Sequence, residues 1–379
     1  MNWTIVYSAT DITSKVLSMN IQYGRTKYLD PYPGGRLTIT INNASNYASN
    51  MTYGSFIDVN GYVSAVSAYF GRYYIQEVTF SDYPGNTGLN TATITAVDAI
   101  GVLGRTQATN YALTQDYCSA QAYKFNASQG GPIPSNLFVS VGSFTSGSIA
   151  SATTYSGNVL NYLNLLQATE RGMLFVAGST IVFVIRSAVT PSIGIGSYQL
   201  GRTSSSTQVA YEQFRRIQNG VQFINTATVT STGVADQTST NTSSVNTYGP
   251  AFYSSQTVDY NTTQALGNAD WITNNFSDPA SLRFEVDFND WSQNPTALRG
   301  LLNQLYGQTP GYGYMISTLN YQVPGGASTA VNTLTEGITI NVTPSGSRFT
   351  LSMSPLQYYQ FFTLDSATLG ILDTSRLGW

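Results

Sequence analysis

Polar and apolar residues alternate over much of the chain. In RLTITINN (residues 36–43), Leu37, Ile39 and Ile41 interleave with Thr38 and Thr40, the two-residue period of a half-buried strand. TATITAVDAIGVLG (91–104) begins the same way and loses the period after Asp98. Asp30-Pro31, Pro33-Gly34-Gly35 and Pro84-Gly85-Asn86 mark reversals between such runs. Residues 1–104 therefore predict a compact antiparallel β-domain, a barrel or sandwich.

The pattern then changes. Residues 106–125 are compatible with a helix, and QGGPIPSN (129–136) reads as a loop. SGNVLNYLNLLQATERG (156–172) places Val159, Leu160, Leu163 and Leu166 on one helical face, with Ser156 as N-cap and Gly172 as the residue that ends it. Two strands around Ala177-Gly178-Ser179 follow, so 105–195 reads as an α+β accessory domain. Residues 196–290 return to strands. Val221, Phe223, Ile224, Ala227 and Val229 mostly alternate, and SLRFEVDFN (281–289) alternates Leu282, Phe284, Val286 and Phe288. The polar run 230–250 between them predicts an ordered loop or edge hairpin, and 262–279 a helix with a Thr N-cap. The last segment, 291–379, holds a helical stretch at 296–306, a Gly-Tyr-rich loop at 308–315, and strands that include a hairpin across Pro344-Ser345-Gly346. It would complete a second barrel begun in 196–290. The fold expected is mainly β, with two similar barrels and α+β insertions.

The 379 residues are 42% hydrophobic, with 27 Tyr, which argues for an ordered β-rich chain. Only 9% are charged, against about 25% in ordinary globular proteins. A net charge of −3 without a basic stripe argues against nucleic-acid binding. A surface so weakly charged favours self-association. The N-terminal residues lack the basic and apolar regions of a secretory signal, and no apolar run approaches the ~18 residues of a membrane helix. The sequons at Asn126 and Asn275 are expected by chance in a chain so rich in Asn, Ser and Thr.

The inventory removes most active sites. There is no His and a single cysteine, Cys118, which reads as a small buried apolar side chain; imidazole-based triads and thiolate or imidazole zinc sites are excluded. No phosphate-binding GxxxxGK[ST] loop occurs, and GIGSYQLG (Gly194 to Gly201) lacks the helix and acidic residue of a dinucleotide site. Carboxylates remain as acid–base candidates: Asp82, Asp98, Glu170, Glu285, Asp287 and Asp290. Glu285 and Asp287 share one strand face opposite Phe284, Val286 and Phe288, the pattern of a solvated face, and Asp287, Asn289 and Asp290 fall short of a calcium loop. Glu170-Arg171 reads as an ion pair closing a helix, with an intersubunit contact as the alternative. Arg215-Arg216 favours a salt bridge over phosphate binding. The aromatic runs 69–74 and 358–362 fit core or interface packing, or a sugar platform. No catalytic, cofactor-binding or metal-binding residue is assigned.

Three stretches, DITSKVLSMNIQYGR (11–25), PGGRLTITINN (33–43) and VTFSDYPGNTGLNTATITAVDAIGVLGR (78–105), resemble the start of the minor tail proteins of long-tailed bacteriophages. Residues 159–187 are similar to that family's helix, Thr-Glu-Arg-Gly turn and hairpin, and ATLGILDTSRLGW (367–379) resembles its closing motif. The matches run in order over most of the chain, which departs from many relatives in its low charge and lack of His. The resemblance implies a non-enzymatic tail-tip hub made in the host cytoplasm and placed in the virion, with two tail-tube-like β-barrel domains per subunit. It implies a homotrimer whose six barrels match a hexameric tube, with distal tail or tail-tube protein, tip or fibre proteins and the tape-measure protein as partners. A receptor- or glycan-binding tail-tip protein is the alternative, and a glycan-degrading enzyme using Asp287 or Asp290 a third.

Overall fold

A computed structural model describes residues 2–43, 45–63, 66–141, 144, 146–186, 198–218, 223–278, 282–305, 316–322 and 326–356. The chain is mostly β, with helices set into it. One large sheet carries strands from both ends of the sequence, and smaller sheets flank it.

The large sheet is built by strict alternation. A single row of cross-strand partners runs Phe288, Phe349, Ile340, Ile21, Leu37, Ala96, Ile75 through seven strands, and all seven are buried. The adjacent row, Asn289, Arg348, Asn341, Asn20, Thr38, Thr95, Glu77, is polar throughout. A one-residue slip anywhere would exchange the two rows, so burial fixes the register of the whole sheet. The apolar row faces a core shared by the N-terminal and C-terminal strands. The helix Pro295–Leu305 closes that core from the far side. Its buried Ala297, Leu298, Leu301 and Leu302 pack on Phe56–Val63 and Val66–Ser81 as well as on Gln208–Ala210 and Ile316–Gln322.

The strand Ser328–Thr343 joins the two ends. Its first part pairs with Ile316–Gln322, and its later part lies between Gly346–Pro355 and Val16–Gly24. The two closed barrels expected from the sequence are not formed: among the described residues no sheet closes. The reason lies at the sheet ends. In the N-terminal half, Asn2–Tyr7 and Thr10–Asp11 are followed by a 3-10 turn at Thr13–Lys15 before Val16–Gly24 begins. In the C-terminal half, Gln208–Ala210 runs into Gln213–Gln218 across Tyr211 and Glu212. Each half therefore curls until its terminal strands are chain neighbours, but a turn takes the place of the last ladder.

Elsewhere the pattern reads well, with local exceptions. The period lost after Asp98 marks the start of a short helix, Ala99–Leu103, with Asp98 as its N-cap. The hairpin Met173–Ala177/Thr180–Val184 and the hairpin turn at Pro344-Ser345 lie where expected. The polar stretch 230–250 forms the edge strand Val234–Thr240 and the helix Thr242–Tyr248. Residues 106–125 are not one helix: Gln107–Leu113 is a strand paired with Thr153–Asn158, and only Cys118–Lys124 is helical. The long helix is Val159–Glu170, capped by the Asn158 side chain rather than Ser156, and its left-handed end is Arg171 rather than Gly172. Gly172 is required for another reason, because a Cβ there would lie 2.0 Å from the Val184 carbonyl. Asn261, not a Thr, caps Thr262–Phe276. The expected 308–315 loop, the aromatic run 358–362 and the 367–379 motif lie outside the described residues.

Ile340, at the centre of the apolar row, is fully buried. Ile340→Ala is expected to cost about 2–5 kcal/mol in urea unfolding, whereas Asn341→Thr on the polar row should stay within about 0.5 kcal/mol.

Candidate functional site

The segment 25–32 gathers the molecule's separate parts. Gly24 ends its strand at φ 78°, and a Cβ on it would lie 2.2 Å from the Glu336 carbonyl, so only glycine lets the two strands approach. Glu336 is the extra residue of a β-bulge between Thr335 and Gly337, which turns its side chain off the sheet face. Its carboxylate meets Arg25 at 2.7 Å in a pair whose side chains are 1% and 0% exposed. The guanidinium lies 4.7 Å from the Tyr28 ring centre and 4.3 Å from that of Tyr32. Tyr28 donates its hydroxyl to the Arg171 carbonyl and packs against Trp271 and Phe276. Asn164 exchanges two hydrogen bonds with the Tyr32 backbone. Four regions distant in sequence are thus tied together around one cation. Burial drives the Tyr28 hydroxyl far above its ordinary range.

A second polar cluster ties the helices to the small three-stranded sheet. Asp259 is fully buried and accepts from Gln264 at 2.6 Å, Asn268 at 2.9 Å and Thr257 at 2.6 Å. Glu170 and Arg171 do not close the helix as an ion pair. Glu170 accepts from the backbone N–H groups of Ser148 and Arg186, and Arg171 contacts Asn268 and the Trp271 ring. Burial raises the Glu170 carboxyl and lowers the Arg171 guanidinium.

The remaining acid–base candidates are structural in their surroundings. Asp287 is not on a solvated face: it is 6% exposed, lying between Arg215 and Arg348, while Glu285 pairs with Arg215 and Arg283. These pairs bridge Gln213–Gln218, Leu282–Asn289 and Gly346–Pro355, and Arg215 takes the salt-bridge role expected of it. Asp290 accepts from the Ser347 N–H at 2.9 Å. Asp82 sits in an exposed turn, Cys118 is buried, and Asn126 and Asn275 are buried sequons. Of the run 69–74, Phe70, Tyr73 and Tyr74 pack into the cores. Among the described residues no group of three acidic or thiol side chains could hold a metal, and no helix is long and apolar enough to cross a membrane. Residues 194–197 of the glycine-rich run lie outside the described residues, and Gln199–Gly201 is a strand.

Removing one partner of the Arg25–Glu336 pair strands a buried charge. Glu336→Ala is expected to lose about 3–5 kcal/mol in unfolding free energy, and Arg25→Met/Glu336→Leu together markedly less. Asp98 gives a pH prediction. It caps Ala99–Leu103 through the Gly101 N–H at 2.8 Å, yet burial pushes its carboxyl up to about 6 from 3.8. The folded value is the higher, so protonation favours folding, and that contribution fades as pH rises from about 4 through 6. Asp98→Asn should therefore match the parent at pH ~4 and exceed it by about 1–3 kcal/mol at pH ~7.5, read by thermal or urea unfolding at both.

No family model matches the sequence, and no curated protein matches it. Solved structures do. The 43 kDa tail protein of prophage MuSo2 from Shewanella oneidensis aligns with a TM-score of 0.61 at 11% identity, over 95% of this chain and 99% of its own. A tail protein from Neisseria meningitidis MC58 aligns with a TM-score of 0.61 at 10% identity, over 94% and 97%. The curled double sheet, the accessory α+β elements and their order along the chain are therefore those of a known architecture, and this chain has the fold of these tail proteins.

Proposed function

We propose that the chain is a non-enzymatic structural subunit of a phage tail tip that assembles, as a homotrimer, into a hub ring between the hexameric tail tube and the distal tip proteins. One observation carries this reading. The large sheet runs without a break through both halves, from Gln213–Gln218 to Val66–Ser81, and presents a continuous polar outer face. Its strands show mostly Ser, Thr, Asn and Gln there; the charges are Arg36, Glu77, Arg348 and the cluster of Arg215, Arg283, Glu285 and Asp287. At both margins backbone is left over. Among the described residues, the outer edge of Gln213–Gln218 has no strand partner, and neither does residue 77–81 backbone on the side that Phe56–Val63 covers earlier in the same strand.

Two open edges on one sheet are a head-to-tail interface. Joining one copy's first edge to the next copy's last edge would continue the sheet around a ring and turn its polar face to the channel. Away from Arg36, a wall of hydroxyl and amide side chains offers little to hold polyanions or apolar segments, which suits a conduit. In this reading residues 1–104 and 196–290 with 291–379 form the two tube-like units, and 105–195 is the accessory domain outside the ring. Tail-tube or distal tail protein, tip or fibre proteins and the tape-measure protein are its partners in the virion.

A second reading, a receptor- or glycan-binding tip protein, draws on exposed aromatic side chains such as Trp291 at 61% and the edge-to-face group Tyr123, Phe138 and Phe144. Light scattering with negative-stain imaging separates the two. The ring reading expects about 120 kDa, three chains of 40.9 kDa, and a central channel. Phe214 and Arg216 direct their backbone N–H groups to the first open edge; Arg216→Pro removes a backbone donor there and should give monomers without loss of fold. A monomer at every concentration that binds glycans would favour the second reading.

A further inference from the structure

The polar sheet face is dented at one place. Beside the row Arg36, Gln22, Thr339, Thr350 runs the row Gly24, Gly337, Ser352, Glu285. Its first two members are glycines, so the strands of the N-terminal and C-terminal halves meet there with bare backbone. The result is an open groove of about 440 Å³, walled by Gln22, Arg36, Thr26, Thr339 and Ser352 with Pro33 and Gly34 at one end. That volume lies within the range of built ligand sites.

The groove's charge is one-sided. No acidic side chain lines it. The nearest carboxylate in sequence, Glu336, is committed to Arg25 beneath the floor. Arg36 is exposed, and among the described residues no hydrogen bond or ion pair engages its guanidinium. Around it stand hydroxyl and amide groups in the geometry of a strand face, two residues apart along each strand. In a chain of net charge −3, an unengaged guanidinium over a glycine floor is a local exception.

We infer that this groove binds an acidic segment of an extended polypeptide, with a carboxylate on Arg36 and the segment's amides on Gln22, Thr26, Thr339 and Ser352. A guanidinium takes a carboxylate in a planar two-bond fork. The bare backbone at Gly24 and Gly337 admits a main chain that side chains would exclude. Nucleic acid is the poorer fit, because one free cation neutralises one phosphate and binding by backbone charge needs several. The inference stands on the groove's shape and charge and does not depend on ring formation.

The test uses the full-length protein and labelled hexaglutamate, followed by fluorescence anisotropy, with hexaglutamine and an oligothymidylate as comparison probes. Saturable, salt-sensitive binding of hexaglutamate with none of hexaglutamine is expected. Arg36→Ala should weaken it about tenfold or more, Arg36→Lys less, and Thr339→Trp, which fills the groove from a half-buried surface position, should abolish it. None of these positions is in a core, so circular dichroism should show all three variants folded. The proposal is overturned if hexaglutamate does not bind, if it binds equally to Arg36→Ala and Thr339→Trp, or if oligothymidylate binds more tightly at the same site.

Discussion

The architecture depends on a cation that cannot be left alone. Arg25 has a side chain almost wholly removed from water, and an unpaired guanidinium there would cost several kcal/mol. Its counter-charge, Glu336, is 311 residues away. Satisfying the pair holds Ser328–Thr343 beside Val16–Gly24, places the bulge at Glu336, and brings Tyr28 and Tyr32 over the guanidinium. Through Tyr28 and Asn164 the same point sets the two long helices against the seam. Such a pair adds little net stability compared with apolar residues of the same shape, but it penalises every alternative arrangement of the two halves. The buried apolar row gives the sheet its energy; the ion pair specifies which strands share it.

That division of labour explains what could be read from the sequence. Strand identity is a local property, and Leu37–Ile39–Ile41 or Phe284–Val286–Phe288 declare it by alternation alone. The Asp98 helix start, the Gly178 hairpin and the Pro344-Ser345 turn are equally local. Errors arose where two local codes compete. Gln107–Leu113 carries Gln, Ala and Leu, residues at home in helices, yet pairing with Thr153–Asn158 makes it a strand. Ser156 and Asn158 are both good helix caps, and the strand claims the first. Asp287 has the alternation of a solvated residue, and only neighbouring strands bring Arg215 and Arg348 over it. The Arg25–Glu336 pair has no local signal at all, because its members are 311 residues apart. Alternation specifies faces, not whether a final ladder forms, and so does not decide barrel closure.

The sparse charge has a structural counterpart in the sheet. An ordinary protein protects open strand edges with lysine, proline or inward charges. Here Gln213–Gln218 carries two arginines, but Arg215 is drawn onto Glu285 and Asp287 across the sheet rather than standing over the open edge. The stretch beyond Gln76 contributes Val78, Thr79 and Phe80, with Phe80 exposed. A monomeric protein with such edges would be prone to uncontrolled pairing, whereas a subunit whose edges are met by neighbours requires them. Low charge, open edges and a hydroxyl-rich face are thus three consequences of one design, each a liability alone.

The groove follows from the same seam. Gly24 and Gly337 are glycines because larger residues would collide with the opposite backbone, at Glu336 in one case and at Arg25 in the other. Each glycine is also the chain neighbour of one member of the ion pair. The close approach that lets Arg25 reach Glu336 therefore removes two side chains from the outer face directly above it. Nothing beyond the pairing is needed to produce a dent there, and Arg36 at its edge gives the dent a sign. A segment lying in the groove would rest on the backbone that holds the two halves together. The shape of the groove and the spacing of the seam consequently cannot change independently, so whatever occupies the one must register the other.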